Sequence, residues 1–221
     1  MTFAKLFSDS CFTRCFTTFA AVFFILIVLF PASPAGAQTI SIKDDKESDI
    51  AFEVYQTESG DTLRKISANP RIYGDPLKWP LIYFFNQIGL RQFRTTPTGF
   101  ANYPLPSNTL LAILLPDDAK IRIKTTHPLP PNTWVINLYS AQDESEADAL
   151  VIRLLDEKFF TYLTEKTIKG KKWVRVRVGF YSDKVAAENW GQKLIRQFKL
   201  DDFWVTRISD SEAAEFSGYF R

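Results

Sequence analysis

The chain has 221 residues, with 27 Lys and Arg against 25 Asp and Glu, a single histidine and two cysteines. A net charge of only +2 argues against nucleic acid or an anionic membrane surface as the principal partner, since those draw clearly basic domains. His127 stands alone in a proline-rich stretch and both cysteines, Cys11 and Cys15, lie near the N-terminus, so no Ser/His/Asp triad, thiol nucleophile or His-rich metal centre can be assembled.

Residues 19–30, FAAVFFILIVLF, form an apolar run that breaks at Pro31 and leads to Ala35-Gly36-Ala37. This reads as a secretory signal peptide, residues 1–37, cleaved after Ala37. The run is shorter than the roughly 20 residues a spanning helix needs, and a membrane association is expected only where the segment is retained as an anchor. No cysteine follows it, which argues against a lipoprotein. Cleavage would remove Lys5, Asp9, Arg14 and both thiols, leaving a near-neutral chain without disulfides.

Residues 38–50, QTISIKDDKESDI, are charged and without period and read as a polar tether. In the unit 51–116, FEVYQTE is extended and SGDTLRKISANP supplies a turn at Gly60, an N-cap at Asp61 or Thr62 and a short helix that Pro70 must end. DPLKWPLIYFFNQ predicts a second helix, with Asp75 as cap, Pro76 in its first turn and Leu77, Leu81, Phe84 and Phe85 at core spacing. TLLAILLP closes a β-α-α-β order. Residues 117–131 include THPLPPN and read as a Pro-rich linker.

The run Tyr55-Gln56-Thr57-Glu58-Ser59-Gly60-Asp61-Thr62-Leu63, followed by Tyr73-Gly74-Asp75 and a helix reaching Asn86, resembles a LysM domain. The resemblance implies binding of N-acetylglucosamine-containing glycans in a shallow groove, with Gly60, Asp61, Thr62 and Leu63 as one wall. The opposite wall departs from the family: a long loop precedes Leu110, and Leu105-Pro106-Ser107-Asn108 stands where Tyr-Pro-Gly-Gln is usual.

The unit 132–209 contains a near-repeat. WVINLYSAQ precedes a helix with Ala147, Leu150 and Leu154 on one stripe, and WVRVRVGFYSD precedes one with Ala187, Trp190 and Leu194. FFTYLTEK and DFWVTRIS add strands, and Lys169-Gly170-Lys171 a hairpin turn. The order β-α-β-β-α-β folds most simply as a four-stranded antiparallel sheet with both helices on one face. Alternation puts Val174, Val176 and Val178 under the helices and Trp173, Arg175 and Arg177 on the open face. An indole beside arginine donors suits sugar rings, which have apolar faces and hydroxyl edges. Residues 210–221 read as a loosely held tail.

Trp173-Val174-Arg175-Val176-Arg177-Val178-Gly179-Phe180-Tyr181, with Asn137-Leu138-Tyr139-Ser140-Ala141 on the first strand, resembles a SPOR domain. That resemblance implies binding of peptidoglycan glycan strands denuded of stem peptides, with Asn137, Ser140, Trp173 and Arg175 facing the ligand; Arg177 and Tyr139 join them by parity.

The expected fold is therefore α+β in two small domains: LysM-like βααβ, then SPOR-like (RNP-like) βαββαβ with a four-stranded antiparallel sheet. The expected function is non-enzymatic peptidoglycan binding in the periplasm, at the division septum, without metal or cofactor. The expected partners are glycan strands and cell-wall remodelling or division proteins, not nucleic acid. Three alternatives stand beside it. An envelope protein-interaction adaptor has the divergent LysM-like loop in its favour. A glycan hydrolase would need two carboxylates, which are missing among the ligand-facing residues apart from Asp61. RNA binding on an RRM-like sheet lacks the RNP1 glycine-aromatic order and conflicts with export.

Overall fold

The computed structural model describes residues 39–44, 47–94, 98–125, 129–130 and 132–220. The expected signal peptide and His127 lie outside these residues. Among the described residues no helix is long and apolar enough to cross a membrane.

Strand β1 (Thr39–Asp44) pairs antiparallel with β2 (Glu47–Gln56), which pairs antiparallel with β3 (Leu110–Ile113). The stretch expected to be a tether is thus largely strand. TISI alternates polar and apolar residues, and that alternation outweighs the charges that follow it. Between β2 and β3 run α1 (Leu63–Ala68) and, after a 3₁₀ turn at Pro76–Lys78, α2 (Trp79–Arg91). Thr62 is the N-cap of α1, its hydroxyl accepting from the Lys65 N–H at 3.1 Å, and Asp75 caps the 3₁₀ turn by accepting from the Leu77 N–H at 2.8 Å. Asn86 leaves helical geometry and serves the outer edge of β3: its amide donates to the Ala112 carbonyl and accepts from the Ala112 N–H, both at 2.8 Å. One side chain thereby does the work of a fourth strand.

Residues 117–125 of the expected linker belong to a helix, α3 (Pro116–Thr125). The helix-forbidding prolines begin only at Pro128; Pro116 suits a helix start, and Asp117 and Asp118 complement the positive end of the dipole. Ala119 and Arg122 are buried.

The second sheet holds β4 (Trp134–Ala141), β5 (Thr161–Ile168), β6 (Lys171–Tyr181) and β7 (Trp204–Arg207) in the order β5-β6-β4-β7, all antiparallel. Lys169 and Gly170 both take left-handed conformations, φ 50° and 75°, in the two-residue turn between β5 and β6. Helices α4 (Ser145–Asp156) and α5 (Lys184–Phe198) cover the face carrying Val174, Val176 and Val178, all buried. Ala147, Leu150 and Leu154 form the stripe expected of α4. On α5 the stripe is Ala187, Gly191, Leu194 and Phe198, whereas Trp190 is 39% exposed. Its ring packs edge-on against Phe159 and carries the Lys193 ammonium 4.5 Å from its centre.

The expected loose tail is helix α6 (Asp210–Phe216) followed by a 3₁₀ turn at Ser217–Tyr219, with Phe216 and Tyr219 buried. Phe216 stacks on Tyr162 at 4.4 Å, Phe220 meets Phe160 and Phe180 edge-on, and Lys78 pairs with Glu215 at 2.7 Å. Gly218 lies so close to α3 that a Cβ there would fall 2.1 Å from the Ala119 carbonyl oxygen. Three of the last six residues are aromatic, and they follow neither the alternation of a strand nor the period of a helix that would mark them as core in the sequence.

The described residues form one compact unit. Arg64 on α1 pairs with Glu144 and, at 2.9 Å, with Asp148 of α4; Asp156 receives the Tyr83 hydroxyl at 2.8 Å, Arg91 at 3.0 Å and Arg94 at 2.6 Å. Burial opposes ionisation of Asp156, but these hydrogen bonds outweigh it and hold the carboxyl below its ordinary value. Asp148 goes the other way: burial pushes it up to about 6 against the pull of Arg64, and Glu144 and Asp143 add to the rise. The folded chain then holds this proton more tightly than the unfolded one. Stability from Asp148 is full below the ordinary carboxyl pKa and is lost as pH rises through about 6. Chemical denaturation between about pH 4 and about pH 6.5 is expected to show a fall of at most about 3 kcal/mol, flattened in Asp148→Asn. Stability that climbs over that interval would contradict the assignment.

Candidate functional site

The face of the second sheet turned away from α4 and α5 is divided in two. Register fixes its members, because residues directly opposite on antiparallel strands share a face. Lys166 lies opposite Trp173, Thr164 and Ser140 opposite Arg175, and Tyr162 and Asn137 opposite Arg177; Trp204 lies opposite Asn137.

Arg177, expected to face a ligand, is 7% exposed and already matched. Its guanidinium pairs with Glu212 of α6, whose carboxylate also accepts from the Tyr162 hydroxyl at 2.8 Å. The docked C-terminal helix has turned this half of the face into core. Tyr139 is also displaced. One extra residue of β4 between Asn137 and Tyr139 forms a bulge that sets Tyr139 opposite Val176, on the helix side, where its hydroxyl donates to Glu146 of α4 at 3.1 Å. Asn137 and Ser140 differ in parity and share this face only because the bulge falls between them.

The free half brings together Ser140, Trp173 and Arg175 of the expected set, with Asn137 at the floor beside the covered half. Thr164, Lys166 and Trp204 join them. Trp204, 41% exposed, was not anticipated; its ring lies 5.6 Å beneath the Arg175 guanidinium. The alternation in DFWVTRIS carries that signal once β7 is placed beside β4. A recess of about 300 Å³ is lined by Thr164, Lys166, Arg175 and Arg177, with Ser209 and Glu212 as its wall.

Four polar atoms buried here lack hydrogen-bond partners: Asn137 Oδ1, Ser140 Oγ, Arg175 Nε and Arg177 Nε. Buried polar groups are ordinarily paired, and each unpaired one costs about 1–3 kcal/mol. Burial pulls the Arg175 pKa down, and the charge of Arg177 adds to this while Glu212 opposes it. Three of them, on Asn137, Ser140 and Arg175, belong to the free half and its floor, and they indicate groups held ready for a partner that brings donors, acceptors and negative charge.

The SPOR domain family matches residues 130–206. No curated protein and no solved structure matches the chain. SPOR domains bind peptidoglycan and are binding modules rather than enzymes. The SPOR match spans the four-stranded sheet and both its helices. It stops before α6, so the element that closes half of the face lies beyond the family's bounds, as do residues 51–116.

In that N-terminal part, the four residues expected to line a groove serve the fold. Leu63 is fully buried, Thr62 is the buried cap, and Asp61 accepts from the Tyr55 hydroxyl and the Glu58 N–H, both at 2.8 Å. Gly60 alone is exposed; with Thr62, Lys65, Asn102 and Pro104 it borders a depression of about 480 Å³. Among the described residues no cluster of His, Cys, Asp and Glu is placed to hold a metal ion.

Because the Ser140 hydroxyl is buried without a partner, Ser140→Ala is expected to leave stability unchanged or raise it by about 1 kcal/mol. Glu212→Ala strands the buried Arg177 charge and should cost about 3–5 kcal/mol. Thermal denaturation of the two variants reads both; a clear loss of stability in Ser140→Ala would remove the reason to regard that hydroxyl as reserved for a ligand.

Proposed function

We propose that this protein is a non-catalytic peptidoglycan-binding component of a Gram-negative envelope, exported to the periplasm, whose free half-face of the second sheet binds glycan strands stripped of stem peptides. The observation that carries this reading is the cluster of unpartnered Asn137, Ser140 and Arg175 atoms between two tryptophans, inside a region matched by a peptidoglycan-binding family. Trp173 and Trp204 offer apolar planes to sugar rings, and the polar atoms around them suit hydroxyl and N-acetyl edges. Residues 51–116, read as LysM-like, add a second weak contact near Gly60. The ion pairs of Arg64 and Asp156 hold the two parts rigidly, so both sites engage one glycan mesh only at a fixed spacing, and the avidity depends on geometry rather than on a tether. Recruitment to the division septum follows where amidases have exposed bare strands.

A second reading has its own observation. An apolar cleft of about 500 Å³ lies between α2 and β3, lined by Phe84, Phe85, Ile88, Leu110, Phe160 and Phe220, with Ile88 87% and Leu110 63% exposed. Large aliphatic side chains in water beside a concave surface favour a protein partner, such as a remodelling or division protein.

Sedimentation with sacculi distinguishes the two readings. The protein should pellet more completely with amidase-treated than with intact sacculi, and less after the bare strands are digested by a transglycosylase. Replacing both Trp173 and Arg175 with Ala should weaken pelleting by about tenfold or more while the fold survives. A double variant that pellets like the parent would remove the sheet face as the site, and cleared zones on a peptidoglycan zymogram would contradict the non-enzymatic reading.

A further inference from the structure

Charge on the free half-face is unbalanced in one place. The free half carries Lys166 and Arg175; Arg177 and Arg207 border the same recess, where Glu212 is shared by Arg177 and the Tyr162 hydroxyl. Glu165 at the edge of the recess pairs outward with Lys172 at 3.0 Å. Arg175 has no carboxylate partner among the described residues; its Nε is buried and unpaired, and its plane is held over Trp204. A planar guanidinium fixed in this way is suited to donating two parallel hydrogen bonds to a carboxylate, in a shape that an ammonium cannot reproduce. Glu212 on Arg177, two residues further along β6, is a guanidinium–carboxylate pair already made within the chain, there through one guanidinium nitrogen.

Removing a stem peptide creates such a carboxylate. Water adds across the amide between the lactyl group and the first amino acid, the peptide leaves with its ammonium, and each muramyl lactyl group is left as a free anion. Resting on the peptidoglycan reading above, we infer that Arg175 is the specificity-determining residue that reads this lactyl carboxylate, so that the preference for bare strands is a preference for charge as well as for an unobstructed sugar surface. Ser140 and Thr164, opposite Arg175 on the flanking strands, are placed to meet the neighbouring hydroxyl or N-acetyl group. Lys166 adds long-range attraction without a fixed geometry.

The test uses the full chain and muramyl oligosaccharides of one length in two forms, with the lactyl group as the free acid or as its methylamide, which removes the charge and adds little bulk. Calorimetric titration of the parent should give at least about tenfold tighter binding of the free acid, an advantage that shrinks as salt is raised. Arg175→Gln should bind both forms equally and weakly, and Arg175→Lys should keep only part of the preference. Free stem peptide should not compete, although it carries carboxylates of its own. Equal binding of the two forms by the parent would overturn the inference and leave the peptidoglycan reading intact. Competition by free peptide would overturn it too, and no binding of either form would overturn both.

Discussion

The docking of Glu212 on Arg177 is the interaction on which the rest of the arrangement depends. A sheet with helices on one side has a second face to dispose of, and this chain disposes of half. Arg177 is neutralised, Tyr162 is capped by Phe216, and the aromatic residues of the C-terminus fill the space between the second sheet and the N-terminal helices. Breaking a buried pair of this kind leaves an uncompensated charge, so the covered half is a settled part of the core. The exposed half then differs by default: Arg175, next in register, has no such partner, and Ser140 and Asn137 keep atoms unpaired. The boundary between core and candidate site runs between two arginines separated by one valine.

The same docking explains why the two parts of the chain behave as one body. Tyr219 meets Tyr73 edge-on, Gly218 lies against Ala119, and Glu215 pairs with Lys78, so the C-terminus is anchored on the N-terminal helices while Glu212 is anchored on the second sheet. The ion pairs from α1 and α2 to α4 add a second seam. Both seams use charge in partly buried surroundings, where geometry is narrowly specified. Any second glycan contact near Gly60 is therefore presented at a fixed distance and angle from the sheet face.

Much of this was legible in the sequence where local chemistry decides the outcome. Thr62 and Asp75 cap as their types predict, the alternation of Trp173 to Val178 separates the two faces of β6, and Lys169-Gly170 turns the hairpin. The misreadings share one physical cause, which is that tertiary partners decided them. The bulge that turns Tyr139 toward α4 has no mark in the sequence of β4, because it arises from the register with β6. Arg177 reads like Arg175 until α6 is docked. Residues 117–125 read like a linker unless Pro116, Asp117, Asp118 and Ala119 are taken together as a helix start. Trp190 occupies a stripe position by spacing, yet the smaller Gly191 is the residue that packs inward.

The central claim is that the free half of the second sheet is the glycan site. Its most direct test is backbone and indole amide NMR on the isotope-labelled chain during titration with bare muramyl oligosaccharide. The account predicts shifts at the Trp173 and Trp204 indoles and at the amides of Asn137, Ser140, Thr164 and Arg175, with α4, α5 and the cleft beside Ile88 and Leu110 unmoved. Shifts confined to that cleft or to the surface near Gly60, with both indoles unchanged, would contradict it.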